Sequence, residues 1–256
     1  MSTRVGTTVP RAMLQFLSNC WRFAVAPSTV TWACAVLALA VCLWWLIRGT
    51  ALVSRIGVDG LAVIAVFATA HFAVSFVCRV GGDVLGALMG PLSMFVSTVG
   101  SEGVASMLLA AVVVIRPLPG TALLSIATVF LLNALFSGQF GVVGIWMVLI
   151  SVGCFEIGLW VFGVTRHAAA PAGSATCGTG TPGPATCRLA PRVAAAIGLA
   201  NAATLLGQYC IVQEMYRLFF ADWYVAAVVL ITGLGYGAAG AALGTALGAR
   251  LRRITL

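Results

Sequence analysis

Six stretches of this chain are apolar almost throughout: residues 29–47, 61–78, 121–136, 141–165, 193–213 and 223–249. A helix needs about 20 such residues to cross a hydrocarbon core roughly 30 Å thick. Backbone N–H and C=O groups inside lipid must be satisfied within the protein, and a helix does this within a single segment. These stretches therefore predict an all-α, multi-pass integral membrane protein. Composition agrees. The chain is 61% hydrophobic and 8% charged, whereas a soluble domain is about a quarter charged.

The net charge of +8 comes from arginine, since the sequence has no lysine. The arginines flank apolar segments, where lipid headgroups and topology account for them, so no nucleic-acid partner is implied. If each span from 121 onward crosses once, Arg116, Arg166, Arg188, Arg192, Arg250, Arg252 and Arg253 fall on one side. That side is expected to be cytoplasmic, and with it the C-terminus. The opposite loops, near 137–140 and 214–222, hold Arg217 with Glu214 and Asp222. The expected location is the inner (cytoplasmic) membrane.

Residues 1–28 are polar and basic, with Arg4, Arg11 and Arg22. In the span 29–47, "TVTWACAVLALAVCLWWLI", Trp44 and Trp45 are followed by Arg48, which reads as the interfacial anchor of a retained helix and not as a cleaved signal peptide. Residues 84–115 admit two readings. Counting 84–99 as a span gives eight crossings and a basic N-terminus inside. Counting it as a loop, broken by Gly90-Pro91 and the polar run to Glu102, gives seven and a basic N-terminus outside. The loop 166–191 is rich in Gly, Ala, Pro, Ser and Thr, and reads as a flexible cytoplasmic linker. Cys177 and Cys187 share it and could pair or bind metal with His167, but no C-x-x-C spacing supports that over an inert loop. No metal site and no cofactor is expected.

Carboxylates in lipid cost about 2.5–3.5 kcal/mol at the centre of a helix and mark candidate functional sites. Glu156 lies well inside its span. Trp160 shares its face four residues on, and Trp146 precedes it by ten. An indole beside a carboxylate suits a cationic or hydrogen-bonding ring. The bland alternative is a structural hydrogen bond to a neighbouring helix. Glu102 follows a break, either as a carboxylate at a substrate mouth or as a charge favoured by a helix N-terminus. Asn133, Asn201, Gln208 and Tyr209 are further polar groups on apolar segments. Asn201 and Gln208, seven apart, share a face. Such amides either hold helices together or line a site. His71 is read as a hydrogen-bonded core residue before a proton relay. Ala65, Thr69 and Ala73 form a small-residue stripe, and Gly233, Gly237, Gly240, Gly244 and Gly248 run along the last span, where helices can approach closely. No catalytic motif such as HExxH, GxSxG or a Walker loop is present, so no enzyme is expected.

Four motifs in order, "AAVVVIRPLPGTALLS", "LLNALFSGQFGVVGIW", "GCFEIGLWVFGVTR" and "GLGYGAAGAALGTALGARLRR", resemble the substrate-binding S components of energy-coupling factor (ECF) transporters. Within these the chain is most similar to the hydroxymethylpyrimidine/thiamine permease type, over about residues 61–253. The resemblance implies a six-helix S-component-like bundle at 61–253, with 29–47 as an extra N-terminal transmembrane helix. It implies a subunit without catalysis of its own, which binds a vitamin or vitamin precursor near the outer face. Its partners would be a transmembrane coupling subunit and two ABC-type ATPases. On this resemblance the substrate-binding residues are Glu156, Trp160, Trp146, Asn133, Gln139, Glu102, Asn201 and Gln208, and the contact with the coupling subunit runs over Ala65, Thr69 and Ala73. Asn133 and Phe140 stand where thiamine-type members are expected to carry an acid and a tryptophan. Two other classes compete: a non-transporting membrane scaffold, whose polar groups only join helices, and a small secondary transporter, whose coupling-ion site would be Glu156.

Overall fold

The computed structural model describes residues 27–89, 98–137, 142–165, 184–217 and 220–255. Among these residues the structure is helical, with no strand. Helix α1 is Pro27–Met89. A π-helical turn, Val99–Gly103, leads into α2, Val104–Ile115. Helix α3 is Thr121–Ser137, α4 is Val142–Val161 and α5 is Pro184–Tyr216. A last rod runs through α6, Asp222–Val228, a π-helical segment, Val229–Tyr236, and α7, Gly237–Thr255. Four stretches are long and apolar enough to cross a membrane: Val53–Gly82, Val143–Val161, Ala190–Tyr216 and Asp222–Arg252. Thr29–Trp45, Gly100–Ile115 and Thr121–Phe136 are shorter apolar helices. The chain is a membrane-embedded, multi-pass all-α protein.

The two spans expected at 29–47 and 61–78 are parts of one helical run interrupted at a single residue. Gly57, with φ 70° and ψ 172°, lies in backbone space that is essentially reserved for glycine. Before it the chain descends. Val30 packs near Val143, whereas Trp44 shares a cleft with Pro119 and Thr165. After it the chain climbs. Ile64 packs on Val112, and Cys78 touches the backbone at Gly100.

That register bears on the described parts of 84–115. Residues 84–89 prolong α1, and 90–97, with Gly90-Pro91, lie outside the described residues. Gly100 returns to the level of Cys78, and Arg116 lies beside Gly60. The second half of α1 and α2 are thus antiparallel neighbours. The register also sets the start of α1 at the end opposite Arg116.

The arginines divide accordingly. Arg48, Arg55, Arg116, Arg192, Arg250 and Arg252 belong to the end where α1 breaks, α2 stops and α3 begins. Arg217 lies at the other end, with Glu214 and Asp222.

The core joins α2, α4, α5 and α7 around Leu109, Val113, Phe155, Leu159, Ile197 and Ala241. Its closest approach lies between α7 and α2. A Cβ at Gly240 would strike the Gly103 carbonyl, one at Gly244 the Met107 carbonyl, and one at Gly248 would come within 2.8 Å of the Ala111 carbonyl. Glycine at every fourth position lets one backbone lie directly on the next, which gains dispersion contact where lipid supplies no hydrophobic drive. The first half of α1 covers α4 and α5 in a similar way, with Leu37 on Gly153 and Cys34 on Gly207.

Candidate functional site

Glu102 stands on the π-helical turn Val99–Gly103, between Gly100 and Gly103. A π turn inserts one residue into the helical repeat, and such turns recur at functional sites. Here the carboxylate faces a cavity of about 180 Å³ inside the bundle. Each neighbouring element adds a polar group: α1 gives His71 and Ser75, α4 gives Ser151, and α5 gives Asn201, Thr204 and Gln208. Leu109, Ile126 and Phe155 supply the apolar wall.

Several of these groups are already engaged. Asn201, buried at 4% exposure, bridges two segments. Its amide hydrogen-bonds the Glu102 side chain, and Nδ2 donates to the Gly233 carbonyl at 3.3 Å. Gln208 Nε2 donates to Ser151 Oγ at 3.5 Å, and Ser151 Oγ donates to the Met147 carbonyl at 2.7 Å. Thr204 Oγ1 is buried without a hydrogen-bond partner. The cavity lies in the half of the bundle away from the arginine-rich end, since Glu102 sits near the level of Cys78 and Gln208 lies toward Tyr216. Just beyond Gln208, Tyr209 meets Phe220 edge to face at 5.3 Å, and Phe220 stacks with Tyr224 at 6.4 Å.

Of the predicted binding residues, the structure brings Glu102, Asn201 and Gln208 together. The shared face expected from the seven-residue spacing of the two amides is present, and both line this cavity.

Glu156 is occupied elsewhere. Its Oε1 accepts the N–H groups of Gly120 at 3.1 Å and Leu123 at 3.0 Å, and Oε2 is 3.3 Å from Gly120 N. The first N–H groups of a helix have no partner within it. Pro119-Gly120 turns the chain into α3 with Gly120 at φ 91°, and Glu156 from α4 closes the exposed donors. A negative charge there also suits the helix dipole. The structural alternative read from the sequence is thus the one observed, with a loop and a helix start as the partner. Glu156 lies at the depth of Pro119, toward the arginine-rich end, and lines a different space from Glu102.

Trp160 remains near Glu156. With Trp44, Leu37 and Ile157 they line a separate, mostly apolar cleft of about 290 Å³ between α1 and α4. Trp146 packs against the Cys34, Ile150 and Ile211 cluster and lines neither space. Asn133 Nδ2 donates to the Val129 carbonyl of its own helix at 3.0 Å and lines neither space. Gln139, Phe140 and Cys177 lie outside the described residues. Ala65, Thr69 and Ala73 occupy an exposed face of α1, where Thr69 Oγ1 donates to the Ala65 carbonyl at 2.8 Å.

His71, read as a core residue, contributes to the cavity wall, as do Ser75, Ser106 and Thr204, which sequence reading missed. The available signal was helical spacing among polar residues. His71 and Ser75 are one turn apart, and Asn201, Thr204 and Gln208 follow at i, i+3 and i+7. Among the described residues no group of three or more His, Cys, Asp or Glu side chains is placed to hold a metal ion.

Comparison with protein-family models, with curated proteins and with solved structures finds no match to this chain.

Proposed function

We propose that this chain is a solute-capture subunit of a membrane uptake system, of the ECF S-component kind that its motifs resemble. The observation that carries the reading is the Glu102 cavity. It gathers a carboxylate, two amides, an imidazole and several hydroxyls inside an apolar bundle, in the half away from the arginine-rich end. Polar groups inside a membrane bundle are costly and mark solute or ion pathways. With the arginine-rich end in the cytoplasm, the cavity belongs to the outer half of an inner-membrane protein and is reached from outside.

In this reading the chain binds and does not catalyse. Glu102 and Asn201 hold the solute, which is a vitamin or a precursor of similar size. Energy comes from partners: a transmembrane coupling subunit and two ABC-type ATPases. The exposed small-residue face of Ala65, Thr69 and Ala73 suits close docking of a partner helix.

The experiment is to purify the full chain alone in detergent and identify co-purifying small molecules by mass spectrometry. A vitamin panel then measures affinity, and pull-down tests a complex with a coupling subunit. A bound heterocyclic solute displaced by a panel member is the expected result. An empty, well-folded protein that binds no panel member and no coupling subunit would overturn the reading.

A further inference from the structure

The lining of the Glu102 cavity constrains the charge and size of its occupant. Glu102 is the carboxylate in that lining, and no arginine contributes to it. To be ionised there, that carboxylate needs an opposite charge or a dense set of hydrogen bonds, and Asn201 supplies only part of the latter.

The amides spend donor hydrogens on protein neighbours, Asn201 on Gly233 and Gln208 on Ser151. The Glu102 carboxylate and the hydroxyl oxygens leave hydrogen-bond acceptors in the wall. Thr204 supplies an independent sign of a missing partner. Thr204 is 4% exposed, and its Oγ1 has no nitrogen or oxygen partner, only the weakly bonding Cys154 thiol beside it. Orphaned buried hydroxyls are rare in folded proteins, and this one lines the cavity. Water would satisfy Thr204, yet it would bring no charge to Glu102. The volume of about 180 Å³ equals roughly six water volumes. It lies below the several hundred Å³ that drug-sized ligands fill.

We infer that the captured solute is a compact organic monocation, a protonated amine or amidine whose N–H groups donate to the Glu102 carboxylate and to Thr204 Oγ1. One carboxylate in the lining matches one positive charge. An anionic solute would face that carboxylate uncompensated, and a dication would carry a surplus charge into the bundle. This inference rests on the capture reading and narrows it.

The test uses the purified full chain in lipid nanodiscs. Thermal stabilisation and calorimetry are measured with small monocations, led by histamine and benzamidine, and with size-matched alcohols and carboxylates. An amine is expected to bind. Glu102→Gln should weaken that binding by about tenfold to a hundredfold, as loss of a charged hydrogen-bond acceptor does. Thr204→Val should weaken it by about tenfold, with Thr204→Ser restoring most of the loss. Glu156→Gln should leave the affinity unchanged. Size-exclusion profiles of the unliganded variants separate lost binding from lost folding. Preference for a neutral or anionic probe, or equal amine affinity in Glu102→Gln, overturns the monocation assignment and leaves solute capture standing if Thr204→Val still weakens binding. Wild-type protein that is monodisperse and binds no probe of any class overturns the capture reading itself.

Discussion

Glu156 Oε1 accepts the backbone N–H of Gly120 at 3.1 Å, so a side chain of α4 closes the N-terminal end of α3. The bond joins positions 36 residues apart and ties a turn to a helix interior. Glu156→Ala removes the acceptor and leaves buried donors unpaired. The expected loss is about 1–3 kcal/mol of stability, read as a lower thermal unfolding temperature in detergent, with solute affinity unchanged. Full stability combined with lost binding would make Glu156 a ligand group after all.

The contact of α7 with α2 predicts a position-specific intolerance. Gly244→Val places a side chain against the Met107 carbonyl, a backbone atom that cannot yield without moving the helix. A cost of about 1–3 kcal/mol or more is expected, as for overpacked cores. Gly235→Ala, where the nearest atom is 3.5 Å away and the residue is exposed, serves as the neutral control. Equal yields of folded, monodisperse protein from both variants would contradict the packing.

Gly57 carries the reversal of α1. Gly57→Ala forces an L side chain into φ 70°, ψ 172°, at about 1–3 kcal/mol. Gly81→Ala has open space around it and sits within the helical run, so it should be neutral or stabilising by about 0.5–1 kcal/mol. Unfolding midpoints of the two variants, compared with wild type, should move in opposite directions or differ by at least the first cost.

The antiparallel packing also fixes which residues face the same compartment. In a cysteine-free background, Asp59→Cys and Arg252→Cys should react with an impermeant thiol reagent from one side, and Asp222→Cys from the other. Labelling of Asp59→Cys and Asp222→Cys from the same side would overturn the arrangement.

The sequence made the helical, membrane-embedded character legible because apolar runs of that length have few other uses. It also made legible the common face of Asn201 and Gln208, which follows from helical spacing alone. The joining of 29–47 and 61–78 was hidden, because Arg48, Arg55 and Asp59 resemble a loop. The helix runs on past Arg48 and Arg55 and breaks only at Gly57, so the two spans are separate helices joined by a sharp kink. The role of Glu156 was hidden for another reason. Its partners are backbone N–H groups, which have no sequence signature, exposed by a turn far away in the chain. The hydroxyl residues of the cavity were illegible because Ser and Thr are ordinary in apolar helices. Most bond their own preceding turn, as Ser151 does to Met147 and Thr128 to Leu124. Only the assembled bundle distinguishes Thr204 from them.

The pairing of α2 with α7 has a consequence for how the protein is made. Residues 104–115 enter the membrane more than a hundred residues ahead of 237–255, the helix that packs on them most closely. Until that helix is translated, the glycine-facing side of α2 has no partner and the Glu102 wall lacks its backing. The bundle can therefore close over this face only once its last helix has been made. A chain stopped before residue 237 would be held at that stage, inserted but unable to close.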